Sequence, residues 1–347
     1  VYYGLHVGTL PYLSKTFAPV NFRYYDNDAL KKEMNSYVKW ERKLTQKFKS
    51  FIDLQYRFVN HQMNGFTRNT DLEIERSFNF FNPKMGLSYK AKNIFYYTSV
   101  AVANKEPNRD DFEASATEQP RREQLIDWEA GFEFKKPKYT INANVYYMDY
   151  KDQLVLTGKI NDVGAYTRVN VPRSYRAGIE LQVKYALNKY FNSSYNITLS
   201  QNKIEEFTEY IDDYDQFKQL AIPHKNTNIA LSPSLTMNRI FNWKPNDKLS
   251  FFWTSKYTSR QFLDNTQNKD RILNAFFIND INAHWTILNK TKFTMLLQLY
   301  ANNVLDVKYA PNGYTFSYIY DRSLITSNNF YPMAGRNYWI SLKIDLK

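Results

Sequence analysis

The 347 residues include no cysteine, so neither a disulfide framework nor a thiolate metal site is open to this chain. The four histidines, His6, His61, His224 and His284, show no metal-ligand spacing. No Ser/His/acid set can be singled out from so many polar residues, so an enzyme constellation is not expected, and neither is a cofactor or metal. No apolar run approaches the ~18 residues of a membrane-spanning helix. Val1-Tyr2-Tyr3-Gly4 shows no leader pattern, which implies either that a leader has been removed or that the chain starts within a longer protein. Lys+Arg 46 against Asp+Glu 34 gives +12, but the basic residues are scattered through turns and loops. They do not gather on one helix or patch, so the footprint of a nucleic-acid binder is missing.

What the chain has in abundance is aromatic residues, 29 Tyr and 25 Phe, and period-two alternation. Phe293, Met295, Leu297, Leu299 and Ala301 alternate with Thr294, Gln298, Tyr300 and Asn302. Tyr338, Ile340, Leu342, Ile344 and Leu346 alternate with Ser341, Lys343, Asp345 and Lys347. Successive strand side chains point to opposite faces, so each segment has one apolar and one polar side. About thirteen such strands are expected, near 34–44, 48–59, 83–91, 94–104, 123–135, 138–151, 172–186, 190–202, 226–243, 248–260, 274–288, 292–301 and 334–346. A mean hydropathy of −0.60 is compatible with a membrane barrel, which hides its apolar half in alternation.

The connections sort by length. Short turns at Thr45–Lys47, Lys90–Asn93, Lys136–Pro137, Leu187–Lys189, Pro245–Asp247 and Asn289–Thr291 alternate with long polar stretches at 60–82, 105–122, 152–171, 203–225, 261–273 and 302–333. Such sorting predicts an up-and-down meander with tight turns at one end and long loops at the other, as in outer-membrane barrels. Aromatics flank the turns, among them Tyr89 and Phe95, Phe134 and Tyr139, Tyr185 and Tyr190, Trp243 and Phe251, Trp285 and Phe293. They read as an interfacial girdle, or simply as residues favoured in strands. An odd strand count places the start of the first strand on the long-loop side, so residues 1–33 are expected to be an external loop region. Residues 34–347 are expected to be the C-terminal portion of a barrel.

Four segments carry a family resemblance. Asn82 to Phe112, Asn144 to Gln182, "ANNVLDVKYAPNGYTF" (Ala301 to Phe316) and "YPMAGRNYWISLKIDL" (Tyr331 to Leu346) resemble the barrel of TonB-dependent outer-membrane receptors, nearer the iron-complex and cobalamin branch than the glycan importers. The chain departs from that pattern in ending Asp345-Leu346-Lys347 and in showing no plug or TonB box. The resemblance implies an all-β transmembrane antiparallel barrel of about 22 strands with a plugged lumen, of which roughly nine strands and the plug would lie upstream. It implies import of a large scarce nutrient complex of the ferric siderophore, haem or cobalamin class, across the outer membrane of a Gram-negative bacterium. The implied partners are the TonB-ExbB-ExbD complex, outer-membrane lipid and lipopolysaccharide, and a surface lipoprotein if the glycan or peptide branch applies. A passive porin is the alternative reading.

Ligand contacts are expected on the long loops. Arg109, Asp110, Asp111, Arg121 and Arg122 offer charge of both signs, with Arg forks suited to carboxylate or phosphate, or else to a salt-bridged surface. His224 is a haem or metal contact or a solvated loop residue. Tyr314, Tyr318 and Tyr320, with Phe316 and Phe330, form an aromatic face for a flat ligand or a continuation of the strands. Asp127, Glu129, Glu133, Arg176, Glu180 and Lys184 are expected to face the lumen.

Overall fold

The structure is a computed structural model and describes residues 2–5, 23–66, 72–114, 119–160 and 166–346. A short strand β1 (Tyr2–Leu5) pairs antiparallel with the beginning of β2 (Arg23–Lys43). Then come β3 (Phe48–Asn64), β4 (Glu73–Ala91), β5 (Ile94–Lys105) and a six-residue helix α1 (Arg109–Ala114). They are followed by β6 (Glu123–Lys136), β7 (Tyr139–Ile160), β8 (Tyr166–Ala186), β9 (Phe191–Asp213) and β10 (Lys218–Asn228). The second half adds β11 (Leu235–Asn246), β12 (Leu249–Thr258), the two-residue strands β13 (Gln261–Phe262) and β14 (Ile272–Leu273), and β15 (Phe276–Asn289). It ends with β16 (Phe293–Asn302), β17 (Asn312–Tyr320), β18 (Ser323–Tyr331) and β19 (Asn337–Leu346).

Thirteen of these make the wall: β2 to β9 as a meander, then β11, β12, β15, β16 and β19, each antiparallel to the next. Registers join β19 to β16 and β2 to β1 and β3, so β19 and β2 are the two edges of an unclosed wall. Turns at residues 44–47, 92–93, 137–138, 187–190, 247–248 and 290–292 close one rim. Several are tied by their own side chains. Thr45 Oγ1 accepts the Lys47 and Phe48 amides, and Asn188 and Asn246 do the same two and three residues ahead.

The long connections depart from expectation, because most are hairpins rather than loops. β3–β4, β7–β8 and β9–β10 continue as paired strands well beyond the alternating core, and 302–333 contains the β17–β18 hairpin. The strand expected at 226–243 breaks at 229–234: β10 pairs with the upper part of β9, and β11 with its lower part. Likewise β2 begins at Arg23, inside the stretch read as loop, while residues 1 and 6–22 lie outside those described.

The apolar side of the wall is exposed. Trp128 is 55% accessible and pairs with Val100 and Tyr147; Ile179 is 52% accessible and sits between Val145 and Leu199. On the last strands Trp285, Leu297 and Leu342 line up, as do Leu299 and Ile340. A water-soluble monomer rarely exposes a contiguous apolar patch beyond roughly a few hundred Å²; this band crosses the whole wall. Near the tight turns it ends in rings: Phe48, Tyr89, Tyr96 and Phe132 follow one another at 4.7, 6.4 and 6.1 Å, and Phe191, Trp243 and Phe251 at 6.2 and 5.1 Å. Phe95 is not among them, because it pairs with Glu133 and stacks near Tyr97 on the other face.

That other face is polar and internally bonded. Asn82 donates to Gln55, Tyr97 to Asn144, Asn142 to Gln182 and Gln182 to Asn196, at 3.0 to 3.1 Å. Three cross-strand pairs there match an aromatic with a glycine: Phe51 with Gly86, Tyr97 with Gly131, Tyr146 with Gly178. Each ring lies so close over its glycine that a Cβ would sit 2.5 to 2.6 Å from it, an arrangement that only the missing side chain permits.

Candidate functional site

Above the wall, the long hairpins fold against one another around two small apolar cores. Met63, Phe66, Ile74 and Phe112 form the first, where the β3–β4 hairpin meets α1. Val155, Val171, Ile204, Phe207 and Ile229 form the second, beneath the β7–β8 and β9–β10 hairpins. The long-hairpin rim is thus built as a packed surface.

Beside the first core lies a pocket of about 520 Å³, lined among others by Lys31, Arg57, His61, Lys105, Glu106 and Arg109. Arg57 forks onto Glu106 with two bonds of 2.7 Å, its Nε donates to Glu33 at 2.7 Å, and Lys31 donates to Glu106 at 3.0 Å. Burial alone would raise the Glu106 pKa; hydrogen bonds from Arg57, its own backbone and Lys31 outweigh it and hold the carboxyl down to about 2. His61 is buried between Phe78 and Phe112, and its Nε2 has no hydrogen-bond partner. The lining carries Lys31, Arg57, Lys105 and Arg109 against Glu106, but Glu33 pairs with Lys31 and Arg57 and Glu123 with Lys105, so three of the four cations are matched by carboxylates.

The residues singled out from sequence are distributed over this rim. Arg109 lies over the Phe66 ring at 4.7 Å and donates to the Gly65 carbonyl. Asp110 is exposed, whereas Asp111 is buried and caps α1 in a reciprocal pair: Asn108 N donates to Asp111 Oδ2 and Asp111 N to Asn108 Oδ1. Arg168 also donates to Asp111. Arg121 binds Asp152 through Nε and Nη2, and Arg122 donates to the Asn79 carbonyl. His224 contacts Glu209 at 3.1 Å, some distance along the rim in the second core's surroundings. On the β17–β18 hairpin, Tyr318 packs edge-on to Tyr214 and Tyr314 tilts against Tyr331, while Tyr320 is exposed. The opposite side of this hairpin is buried although it is built of Gly313, Thr315 and Ser317.

Sequence reasoning missed two charge clusters. Arg57 and Glu106 are 49 residues apart, and only the register of β3, β4 and β5 brings them together. Arg271, 4% exposed, joins Glu209 and Asp264 and pins the segment between β13 and β14; there Asn265 accepts from the Ala230 amide and donates to the Leu156 carbonyl. The Asn-Val-Leu-Asp stretch is a clasp: Asn303 Oδ1 accepts the Val307 amide, its Nδ2 donates to the Val307 and Ala334 carbonyls, and Asp306 accepts the Arg336 amide. Both Asn303 and Asp306 hold positive φ, 48° and 53°, which Asn and Asp tolerate better than most residues.

Comparison with known proteins agrees with this architecture. The profile described as TonB dependent receptor-like, beta-barrel matches residues 2–304. The siderophore receptor PiuA from Acinetobacter baumannii is similar at TM-score 0.67 and 15% identity, over 92% of this chain and 43% of that one. The ferric yersiniabactin uptake receptor FyuA from Yersinia pestis gives 0.63 and 14%, over 92% and 46%. The copper transporter OprC gives 0.67 and 14%, over 91% and 48%. At these identities the likeness shows the fold alone, and the chain spans less than half the length of each. No curated protein matches the chain. The family and these neighbours are receptors and transporters, not enzymes. An all-β wall with one exposed apolar face, one hydrogen-bonded polar face and a matching profile over most of its length places this chain in the TonB-dependent receptor-like β-barrel family.

Proposed function

We propose that the chain forms wall and outer rim of a TonB-dependent transporter in the outer membrane of a Gram-negative bacterium, taking up a bulky, scarce nutrient complex of the ferric siderophore, haem or cobalamin class. The observation that carries the reading is the two-faced wall: its apolar band suits lipid, and its amide-lined side suits a water-filled or protein-filled lumen. The tight-turn rim then faces the periplasm and the folded hairpins face outside. Uptake needs no covalent chemistry from these residues. The hairpins and the pocket beside Arg109 receive the ligand, and force relayed from the inner membrane by TonB with ExbB and ExbD opens the path. Edges β2 and β19 are where further wall strands would pair.

The test is titration of the detergent-purified receptor with ferric siderophores, haemin and cobalamin, alongside fractionation of cells. Saturable binding of one class, weakened by Arg109→Ala or Lys105→Ala, is the expected result. Recovery of the protein in the aqueous phase, or ligand-independent passage of small solutes through the reconstituted barrel, would overturn it.

A further inference from the structure

The tight-turn rim concentrates charge. Within three residues of its six turns stand fifteen basic side chains, fourteen of them lysine, against two acidic ones, Glu41 and Asp247. The rest of the chain holds 31 basic and 32 acidic residues, so this one rim accounts for the whole net charge of +12. Every turn contributes at least two cations, which spreads them along the rim as an arc. An arc that follows the wall matches an annulus of lipid headgroups, and at its densest part Lys90, Lys92, Lys135, Lys136, Lys138 and Lys184 surround one hollow of about 990 Å³.

The neighbouring rings point the same way. The Lys136 ammonium lies 5.8 Å above Phe134, and that of Lys189 lies 4.9 Å above Tyr190, at the edge of the aromatic belt that borders the apolar band. Rings at headgroup level with lysine stems reaching past them are how an amphipathic surface meets a bilayer boundary. Lysine, a hydrated point charge on a flexible stem, suits phosphates that have no fixed orientation.

We propose that the tight-turn rim is a binding surface for anionic phospholipid, engaging the headgroup phosphates of the leaflet in which it sits. The inference rests on the membrane reading above. Lys136 shares the apolar side with its pairing partner Tyr139, whereas Lys135 and Lys184, both paired with Thr140, share the polar side; Lys189 stands in the 187–190 turn over the Tyr190 ring, so the register sets Lys136 apart from the lumenal pair.

The test uses the full receptor in detergent micelles, titrated with phosphatidylglycerol or phosphatidylcholine, with retained lipids counted by native mass spectrometry. Wild type retains phosphatidylglycerol in preference. Each interfacial charge removed costs about fivefold in affinity, so the Lys136→Gln, Lys189→Gln double variant loses more than tenfold, while Lys135→Gln, Lys184→Gln stays near wild type. Heat-modifiable gel migration verifies that all are folded. Equal retention of the two lipids overturns the inference, as does loss only in the Lys135, Lys184 pair, the pattern of lipid held on the polar side of the wall. Recovery of wild type in buffer without detergent overturns the membrane reading itself. Lipid indifference in a receptor that needs detergent overturns this inference alone.

Discussion

Replacing Arg271 by methionine should release the β13–β14 segment from the rim while leaving the wall intact. The guanidinium is 4% exposed and sits between Glu209 and Asp264, which are 13% and 6% exposed. Removing it leaves two buried carboxylates without their guanidinium, Glu209 keeping only the His224 contact at 3.1 Å, a change that costs about 3–5 kcal/mol in buried pairs. That is roughly a hundred- to several-thousandfold rise in local opening. Hydrogen exchange reads it directly at three amides held by the segment: Leu263, bonded to the Arg271 carbonyl at 2.9 Å; Leu231, bonded to the Phe262 carbonyl at 2.9 Å; and Ala230, bonded to Asn265 at 2.8 Å. Wall amides such as those of β6 should exchange as before. Combining Arg271→Met with Glu209→Gln and Asp264→Asn removes the repulsion and should restore most of the protection, because a charge-free triad of similar shape carries no desolvation penalty. Unchanged protection in the single variant, or no recovery in the triple one, would refute the reasoning.

Three further outcomes are expected. Glu106→Gln should cost about 2 kcal/mol at neutral pH, the depressed pKa being discounted for the pocket's open side. Because the folded carboxyl titrates lower than the unfolded one, the gap to wild type should be full above pH 4.5 and close as pH falls towards about 2, as followed by tryptophan fluorescence. Gly131→Ala and Gly178→Ala should each destabilise by about 1–3 kcal/mol, since the new Cβ would meet Tyr97 or Tyr146 within 2.6 Å. Lowered heat-modification temperature measures this, and pairing Gly131→Ala with Tyr97→Leu should relieve only part of it, because the Ala143 carbonyl would also stand 2.6 Å from the new Cβ. Asn303→Ala leaves the Val307 amide and two carbonyls unsatisfied at a buried site and should cost about 2–4 kcal/mol, while Asn302→Ala, which loses one bond to Asn337, costs less.

Where one face meets an apolar medium and the other a polar one, the sequence is legible. Trp128 and Ile179 stand out beside Asp127 and Glu180, and the thirteen wall strands fall near their expected places at the tight-turn end. Above the band this rule lapses, because hairpins there pack on one another instead of separating two media. In the upper part of β9 the buried apolar residues are Ile204, Phe207 and Ile211, a spacing that reads as loop. On β17 the expectation inverts: Thr315 is 2% exposed while Tyr320 is 59% exposed, since the small polar face turns towards the rest of the rim. The pocket was illegible for a different reason. Glu106 sits in a visibly charged loop, but its partner Arg57 reads as an ordinary strand residue, and their contact is a product of register alone.

The three glycines matched to Phe51, Tyr97 and Tyr146 have a consequence for the space the wall encloses. A ring laid flat over a neighbouring glycine thickens the wall by one atom layer, whereas the same ring standing upright would project into the interior. Bore is therefore encoded where no side chain exists. An alanine at any of the three would bring its Cβ within 2.7 Å of the ring and of the carbonyl of Thr98, Ala143 or Leu199 on the neighbouring strand, so the rings keep this pose only over glycine.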